Sequence, residues 1–473
     1  MNKKATAASL AASLVLIYAT GNLGADDEEG LPFPDSTSPE IWVDGPANVQ
    51  PGTDRNFPAV AVDDFGRRVH VWNAFLSSSN PPRNDIMMRR LDPAGNPEMD
   101  PFLVNTYTTN TQDRARVAAS SDGSFLVVWG SQERNLADTA DRTWVRSQAF
   151  DANASPVGSE QLLSTLSPER PTEASVDVAA LRTSDGGPGG FVVVWESGLT
   201  YGNDTGVSIQ ARLVSPNGSP FGAQFQVNSS TPGSQTDSTV TELADGGFLV
   251  VWEDVALQLQ GRRFNGAGDP VGGQFTISTA FEQSHSRPDV AIGWNNQIAV
   301  VWEDDDEPGA ELGDEIRARI LDPEGTPLGA DFRVNTLTLD GQGNPSVAGY
   351  GTKGFLVVWN SDTSVGDDND LQSIQARVVS GPGTFDGPQV QYNTWTSTNQ
   401  NRPHAGGWYG RLSSNWRSNG NTETTDDVIT ARDIEHCLFC DDFEWFSPAS
   451  SGNLWRWSNS QGVVGRPDVT ESD

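Results

Sequence analysis

Histidine, cysteine and positive charge are scarce in this chain. Its 473 residues hold 4 His, 2 Cys and Lys+Arg 30 against Asp+Glu 63, a formal charge of -33. Such a charge repels phosphate backbones and anionic lipid surfaces, which excludes nucleic acid as an expected partner. Its simplest consequence is solubility; it also suits a saline habitat or the gathering of divalent cations, and charge does not separate these. His70, His285, His404 and His436 fall in no His-Glu-x-x-His pattern, and no Gly-x-Ser-x-Gly elbow is present, so the common metal and serine hydrolase signatures are missing. Beyond the first residues no apolar run approaches the roughly 20 residues of a membrane span. No sustained apolar pattern follows helical spacing either.

The cysteines, Cys437 and Cys440, form one Cys-x-x-Cys. In an exported chain a short-loop disulfide is the expectation. The thioredoxin-type reading needs a strand-to-helix junction, which is absent, and zinc needs more soft ligands than His436 and two thiols supply. Export is read from the other end. Met1-Asn2-Lys3-Lys4 precedes an Ala/Leu-rich run to Ala19, with small residues near Gly21 and Ala25, the arrangement of a secretory signal. Residues 1–25 are thus expected to be a signal and 26–39 an acidic, Pro-containing linker. The mature protein is expected to be a monomer without a membrane span, located outside the cell, at its surface or in the periplasm.

What the chain has in quantity is repetition. Gly247-Phe248-Leu249-Val250-Val251-Trp252-Glu253 recurs as FLVVW at Phe125 to Trp129, FVVVW at Phe191 to Trp195, IAVVW at Ile298 to Trp302 and FLVVW at Phe355 to Trp359. Weaker copies end at Trp72 and Trp416. The seven tryptophans are separated by 57, 66, 57, 50, 57 and 57 residues. Between them, Gly 48 and Pro 29 supply turns such as Asp245-Gly246 and Asp322-Pro323-Glu324-Gly325, where positive or preset φ is needed. Each unit carries four strand-like pieces, the second so continuously apolar that it must be buried on both faces.

Four antiparallel strands repeated seven times predict an all-β, seven-bladed β-propeller over 40–436, with a separate tail over 437–473. The fourth-strand pattern (FLVN at Phe102 to Asn105, FQVN at Phe225 to Asn228, FTIS at Phe275 to Ser278, FRVN at Phe332 to Asn335) is missing after the seventh unit. Its counterpart, Glu40-Ile41-Trp42-Val43-Asp44, stands before the first. The N-terminal strand is therefore expected to complete the last blade and remove its open edge. An arginine also recurs on the third strand, at Arg89, Arg212, Arg262, Arg319, Arg377 and Arg432, with Gln148 in the second unit. An acid or amide follows the second-strand Trp at Asn73, Glu196, Glu253, Glu303 and Asn360. These two sets are expected to pair across strands within each blade as scaffold.

With Gly190-Phe191-Val192-Val193-Val194-Trp195, Ile209-Gln210-Ala211-Arg212 and Phe225-Gln226-Val227-Asn228, the units from Glu40 to Ile434 resemble a class of exported bacterial β-propeller repeats of the form GGFVVVW, IxAR and FxVN. The resemblance implies a secreted or surface propeller and carries no activity. The tail, Phe439-Cys440-Asp441-Asp442-Phe443-Glu444 with Trp455 and Trp457, resembles a short C-terminal segment of exported proteins in some Gram-negative bacteria, with Asp442 where that pattern has Gly. Its aromatic residues could equally pack against a blade.

The loops between second and third strands vary and are acidic. Asp304, Asp305, Asp306 and Asp314, and Asp367, Asp368 and Asp370, offer oxygen ligands of the kind calcium takes. Their spacing matches neither an EF-hand nor the Asp-x-Asp-x-Asp-Gly pattern of calcium-binding blades, and solvated hairpins are the plainer reading. No cofactor other than calcium is expected. The sialidase-type Ser-x-Asp-x-Gly-x-x-Trp box is absent. The leading expectation is a non-catalytic binding or structural module with a protein or glycan ligand on its variable loops. The alternative is an extracellular glycoside or peptide hydrolase with carboxylates at the channel mouth. A cluster of carboxylates or His from two or three blades at that mouth favours the enzyme; a uniform polar channel favours the module.

Overall fold

The computed structural model describes residues 41–44, 55–76, 83–134, 141–165, 175–198, 205–254, 258–279, 284–293, 295–304, 313–338, 340–368, 371–394, 396, 399–408, 411–418 and 428–435. The expected signal, linker and tail, with His436, Cys437 and Cys440, lie outside these residues. The described strands form seven antiparallel sheets, six of them in plain chain order. The first holds Arg55–Val62, Arg68–Leu76, Arg83–Leu91 and Phe102–Leu103. The same order restarts at Gln112–Ala119, Val176–Arg182, Thr236–Glu242, His285–Ile292 and Gln342–Tyr350.

The seventh sheet runs Gln400–Trp408, Arg411–Ser418, Val428–Glu435, and its outer position is taken by Ile41–Trp42, with Ile41 opposite Ala431 and Trp42 opposite Thr430. First strands of neighbouring sheets pack on one another, the seventh on the first included. The fold is a ring of seven four-stranded blades, an all-β propeller. No helix among the described residues is long and apolar enough to cross a membrane.

The second strands show why an unbroken apolar run suits this ring. Phe248, Val250 and Trp252 share a cluster with Val192, Val194 and Ile209 of the third blade, whereas Leu249 and Val251 join Val300 and Trp302 of the fifth. Alternate residues of one strand thus fill the two gaps beside its blade, and all five are fully buried. Each indole removes on the order of 150–250 Å² from water, about 4 to 6 kcal/mol at the usual area coefficient. Polar atoms in these gaps are matched. The indole N–H groups of Trp129, Trp252, Trp359 and Trp416 donate to the side-chain oxygens of Gln112, Gln235, Gln342 and Gln400. The fourth-strand Asn105, Asn228, Asn335 and Asn393 accept the N–H of Ile86, Ile209, Ile316 and Ile374.

The recurrent arginines do not pair with the acids and amides that follow the second-strand tryptophans. Arg262 stands opposite Val250, while Glu253 is opposite Leu259, so arginine and carboxylate are three places apart and leave opposite faces of the sheet. Each guanidinium instead crosses to the preceding blade and donates to a buried carbonyl: Arg212 to Leu163, Arg262 to Val227, Arg377 to Val334 and Arg432 to Tyr392. Arg319 donates likewise to Ile277. Arg89 of the first blade donates to Val43, beside Ile41–Trp42 on the seventh. These are inter-blade ties. Gln148 bonds within its own blade, to the carbonyls of Ala149 and Val157.

Candidate functional site

The innermost strands carry an irregularity that positions side chains at one mouth of the channel. In six blades the ladder between first and second strands slips near the start of the first strand. The residue at the slip has positive φ, between 49° and 54°: Phe57, Arg114, Asp237, Arg287, Asn344 and Arg402. None is glycine, although the left-handed region costs an L-residue roughly 1 to 2 kcal/mol. Pro58, Pro288, Pro345 and Pro403 follow at four of these bulges, where an amide without a ladder partner is best dispensed with. Bulges re-aim side chains. All six residues line one cavity of about 260 Å³.

Two places beyond five of these bulges stand Arg116, Thr239, Asp289, Ser346 and His404, and with Asp177 of the third blade they form a second tier facing the same cavity. Its members reach to the next blade, whose inner edge would otherwise leave N–H groups unpaired. Asp177 Oδ2 accepts from the Thr239 hydroxyl and the Val240 N–H, both at 2.9 Å. Asp289 Oδ2 accepts from the Ser346 hydroxyl at 2.7 Å and the Val347 N–H at 2.8 Å, and its Oδ1 from the Val290 N–H at 2.9 Å. That Oδ1 also lies 3.4 Å from the Thr239 hydroxyl. Two carboxyl groups from blades three and five therefore meet at one hydroxyl from blade four. His404 Nδ1 accepts from the Val60 N–H at 3.3 Å.

Burial and proximity set the protonation of this tier. Burial pushes the Asp177 carboxyl up to about 6, with Arg116 opposing and Asp289 adding to the rise. Asp289 is also raised, chiefly by burial, against the hydrogen bonds of Ser346, Val347 and Val290. His404 is lowered to about 3 by burial and by Arg116, so it is a neutral imidazole whose proton is on Nε2 when Nδ1 accepts. Behind the bulge of Asp237 stand two more acids. Glu196 Oε1 accepts the Asp237 N–H at 2.7 Å, and burial followed by Asp237 lifts Glu196 to about 8. Burial and Asp237 lift Glu253 to about 7.

Across the cavity the charge reverses. Arg114 and Arg402, from blades two and seven, stand 5.1 and 4.0 Å from the Phe57 ring of blade one. Arg402 also donates to Asn56 Oδ1 at 2.6 Å. Repulsion from Arg417, Arg114 and Arg287 adds to burial in lowering its pKa, with Asp113 opposing. Arg287 is engaged by both oxygens of Glu303, at 2.9 and 2.7 Å.

The other mouth is roomier and chemically simpler. A cavity of about 500 Å³ is lined mostly by hairpin turns, and its charged groups form one set, Arg182 donating to Asp64 at 2.9 Å and to Glu242. Burial raises Glu242 to about 7. Between the mouths the inner strands approach closely. A Cβ on Gly349 would stand 2.5 Å from the Ile292 carbonyl, and one on Gly406 2.3 Å from that of Val60.

The acidic-loop residues go separate ways. Asp304 lies 3.2 Å from His285 Nδ1 and 3.3 Å from Arg317 Nε. His285 occupies the place that Gln holds beside other tryptophans, and the Trp302 indole N–H has no bond of that kind. The Asp314 carbonyl accepts the Gln342 N–H. Asp367 is exposed, and Asp368 is buried and accepts from Asn393 at 2.7 Å. Asp305, Asp306 and Asp370 lie outside the described residues. Among the described residues no three His, Cys, Asp or Glu side chains are grouped to hold a metal ion. The mouth residues escaped notice in the sequence because they stand where the repeats differ, yet Arg287-Pro288-Asp289-Val290, Asn344-Pro345-Ser346-Val347 and Arg402-Pro403-His404 share a visible x-Pro-x frame.

No protein-family model and no curated protein matches the chain. Among solved structures, a protein of unknown function from Dyadobacter fermentans is similar at 12% identity and a TM-score of 0.48, over 84% of this chain and 98% of that one. An α-L-arabinanase from Penicillium chrysogenum is similar at 12% identity and 0.45, over 85% and 98%. A sialidase from Streptococcus pneumoniae is similar at 9% identity and 0.45, over 84% and 71%. Likeness this distant leaves the chemistry of the mouth to the residues themselves.

Proposed function

We propose that the protein is an exported enzyme that hydrolyses glycosidic bonds at the mouth lined by Asp177 and Asp289. The observation that carries this is the asymmetry of that mouth. Seven similar blades place carboxyl groups from blades three, four and five at this mouth and guanidinium groups from blades two, five and seven, the one from blade five, Arg287, being held by Glu303. Scaffold would repeat; chemistry breaks the symmetry. Glycosidic hydrolysis asks for two carboxyl groups in opposite protonation states and for no further cofactor.

Asp177 and Asp289 suit that division. Like charges at one hydroxyl disfavour double ionisation, so the pair retains a proton towards neutral pH. Asp177, pushed up to about 6, is the general acid that protonates the leaving glycosidic oxygen. Asp289, with its three hydrogen-bond donors, is the ionised partner, and because both carboxyl groups reach the one Thr239 hydroxyl they stand too close to hold the attacking water between them. Asp289 therefore bonds to the anomeric carbon as the bond to the leaving oxygen breaks and that oxygen takes the Asp177 proton; Asp177 then takes a proton from water, whose oxygen displaces Asp289 from the carbon, and both carboxyl groups return to their starting states.

The test is release of reducing ends from a panel of purified polysaccharides. At least one should be cleaved, and Asp177→Asn and Asp289→Asn should each lower kcat by about 10² to 10⁴ while the protein stays folded. No cleavage of any glycan, or full activity in both variants, would refute the reading. The bonds from Asp177 and Asp289 to the backbone of the next blade favour a second reading, a binding module in which these acids only tie blades. In that case both variants would lose thermal stability and bind glycan without cleaving it.

A further inference from the structure

We infer that Ser346 is a positioning residue that keeps Asp289 the ionised member of the pair, through a hydroxyl that a backbone N–H of blade seven locks as a donor. This rests on the hydrolase reading above and adds a residue to its machinery. Ser346 is buried. Its Oγ accepts the Ala405 N–H at 3.0 Å and donates to Asp289 Oδ2 at 2.7 Å. A hydroxyl has one proton, and an amide N–H cannot become an acceptor. With one lone pair so taken, the serine proton is turned to the carboxylate.

The rest of the tier separates this donation from scaffold. Asp177, Asp289, Ser346 and His404 each accept an N–H of the next blade, from Val240, Val347, Ala405 and Val60. Tying blades asks only for an acceptor, and a carboxylate or a neutral imidazole supplies one. Of these four, Ser346 is the member that also hands a proton to one of the acids. Thr239 differs. Among the described residues its oxygen takes no backbone N–H, since the Val290 N–H is taken by Asp289 Oδ1, and its hydroxyl stands 2.9 Å from Asp177 and 3.4 Å from Asp289. It can turn to either acid, whereas Ser346 serves Asp289 alone.

The consequence falls on one oxygen. Asp289 Oδ2 has both lone pairs engaged, by the Ser346 hydroxyl and by the Val347 N–H at 2.8 Å, so a proton arriving there must displace a donor. Donors already aimed at a buried charge stabilise it without rearranging. The other charged or titratable groups around Asp289 are Asp177, Arg116 and His404 on the tier and Asp237 and Arg287 at the bulges, Arg287 being held by Glu303. None of these changes when Ser346 is replaced. Without the hydroxyl, Oδ2 takes up a proton more readily, and the pair's proton is shared between the two acids instead of staying on Asp177.

The experiment compares the full chain with Ser346→Ala and Ser346→Thr, threonine being what blade four already carries at this place. The pH profile of kcat/KM is measured on a cleaved glycan, and the Asp289 carboxyl is titrated by carboxyl-carbon NMR, its signal identified by its loss in Asp289→Asn. Ser346→Ala should raise the Asp289 midpoint by about one pH unit, the effect of one hydrogen bond to a charged group. Activity needs the ionised carboxylate, so the acid limb should move up with that midpoint, and kcat at the parent's optimum should fall about 10-fold. Ser346→Thr should keep both at the parent's values. A serine that only ties blades would give a lower Tm in Ser346→Ala with midpoint and profile unmoved, and that result would overturn the inference. So would a shift of equal size in Ser346→Thr. If no glycan is cleaved the hydrolase reading falls, and the NMR titration alone decides whether Ser346 holds Asp289 ionised.

Discussion

Removing residues 40–44 should loosen the ring at one seam. Val43 is fully buried, and burying a valine side chain is worth about 2 kcal/mol. Its N–H donates to the Ile429 carbonyl at 2.9 Å and its carbonyl accepts from Arg89 at 2.8 Å, links worth about 1 to 2 kcal/mol each. The Asp44–Arg55 contact at 2.6 Å is buried on both sides, and desolvation offsets its attraction, so it is counted at roughly zero. The deletion should then cost about 5 kcal/mol. With an unfolding entropy near 2.1 cal/mol/K per residue, a folded body of about 400 residues loses roughly 6 °C of Tm. Scanning calorimetry of the full and shortened chains measures this. Size-exclusion chromatography adds a second readout, since Val428–Glu435 would become an open edge able to pair with another copy. A Tm within 1 °C of the parent, with no self-association, would refute the idea that this strand closes the seventh blade.

Two further outcomes are expected. Arg377→Met removes a guanidinium that donates to the Val334 carbonyl and lies 3.5 Å from the Phe385 ring centre; it should cost about 2 kcal/mol, and a denaturation midpoint equal to the parent's would discredit the inter-blade tie. Glu196 is raised to about 8 from an ordinary value of 4.5, so the folded protein keeps a proton that the unfolded chain gives up as pH climbs between those values. Stability should fall across that window and level off above it. Glu196→Gln should flatten the fall between pH 5 and 9, and an unchanged slope in urea titrations at several pH values would show that Glu196 titrates normally.

The blades were legible because their causes are local and repeated. FLVVW at Phe355 to Trp359 and IQARVV at Ile374 to Val379 announce strands, and the turn at Asp322 to Gly325 announces where they reverse. Seven copies of one pattern leave few ways to bury seven tryptophans, and the ring follows from that. Even the small polar positions can be read this way, since Asn228 and Asn335 recur for a bond each blade needs.

The partners of the arginines were a different matter. Whether Arg262 meets Glu253 or Val227 depends on strand register and on which face of the sheet the side chain leaves, and a repeat pattern records neither. The mouth was harder still. Asp177, Thr239 and Asp289 are 62 and 50 residues apart, and Arg402 reaches Asn56 across 346. Nothing local marks such residues as neighbours. They converge because the ring brings the first strand of every blade to one axis and a bulge turns the same position of six strands into one opening, so the pattern of the repeats carries the scaffold while the differences between repeats acquire meaning only once the ring is closed.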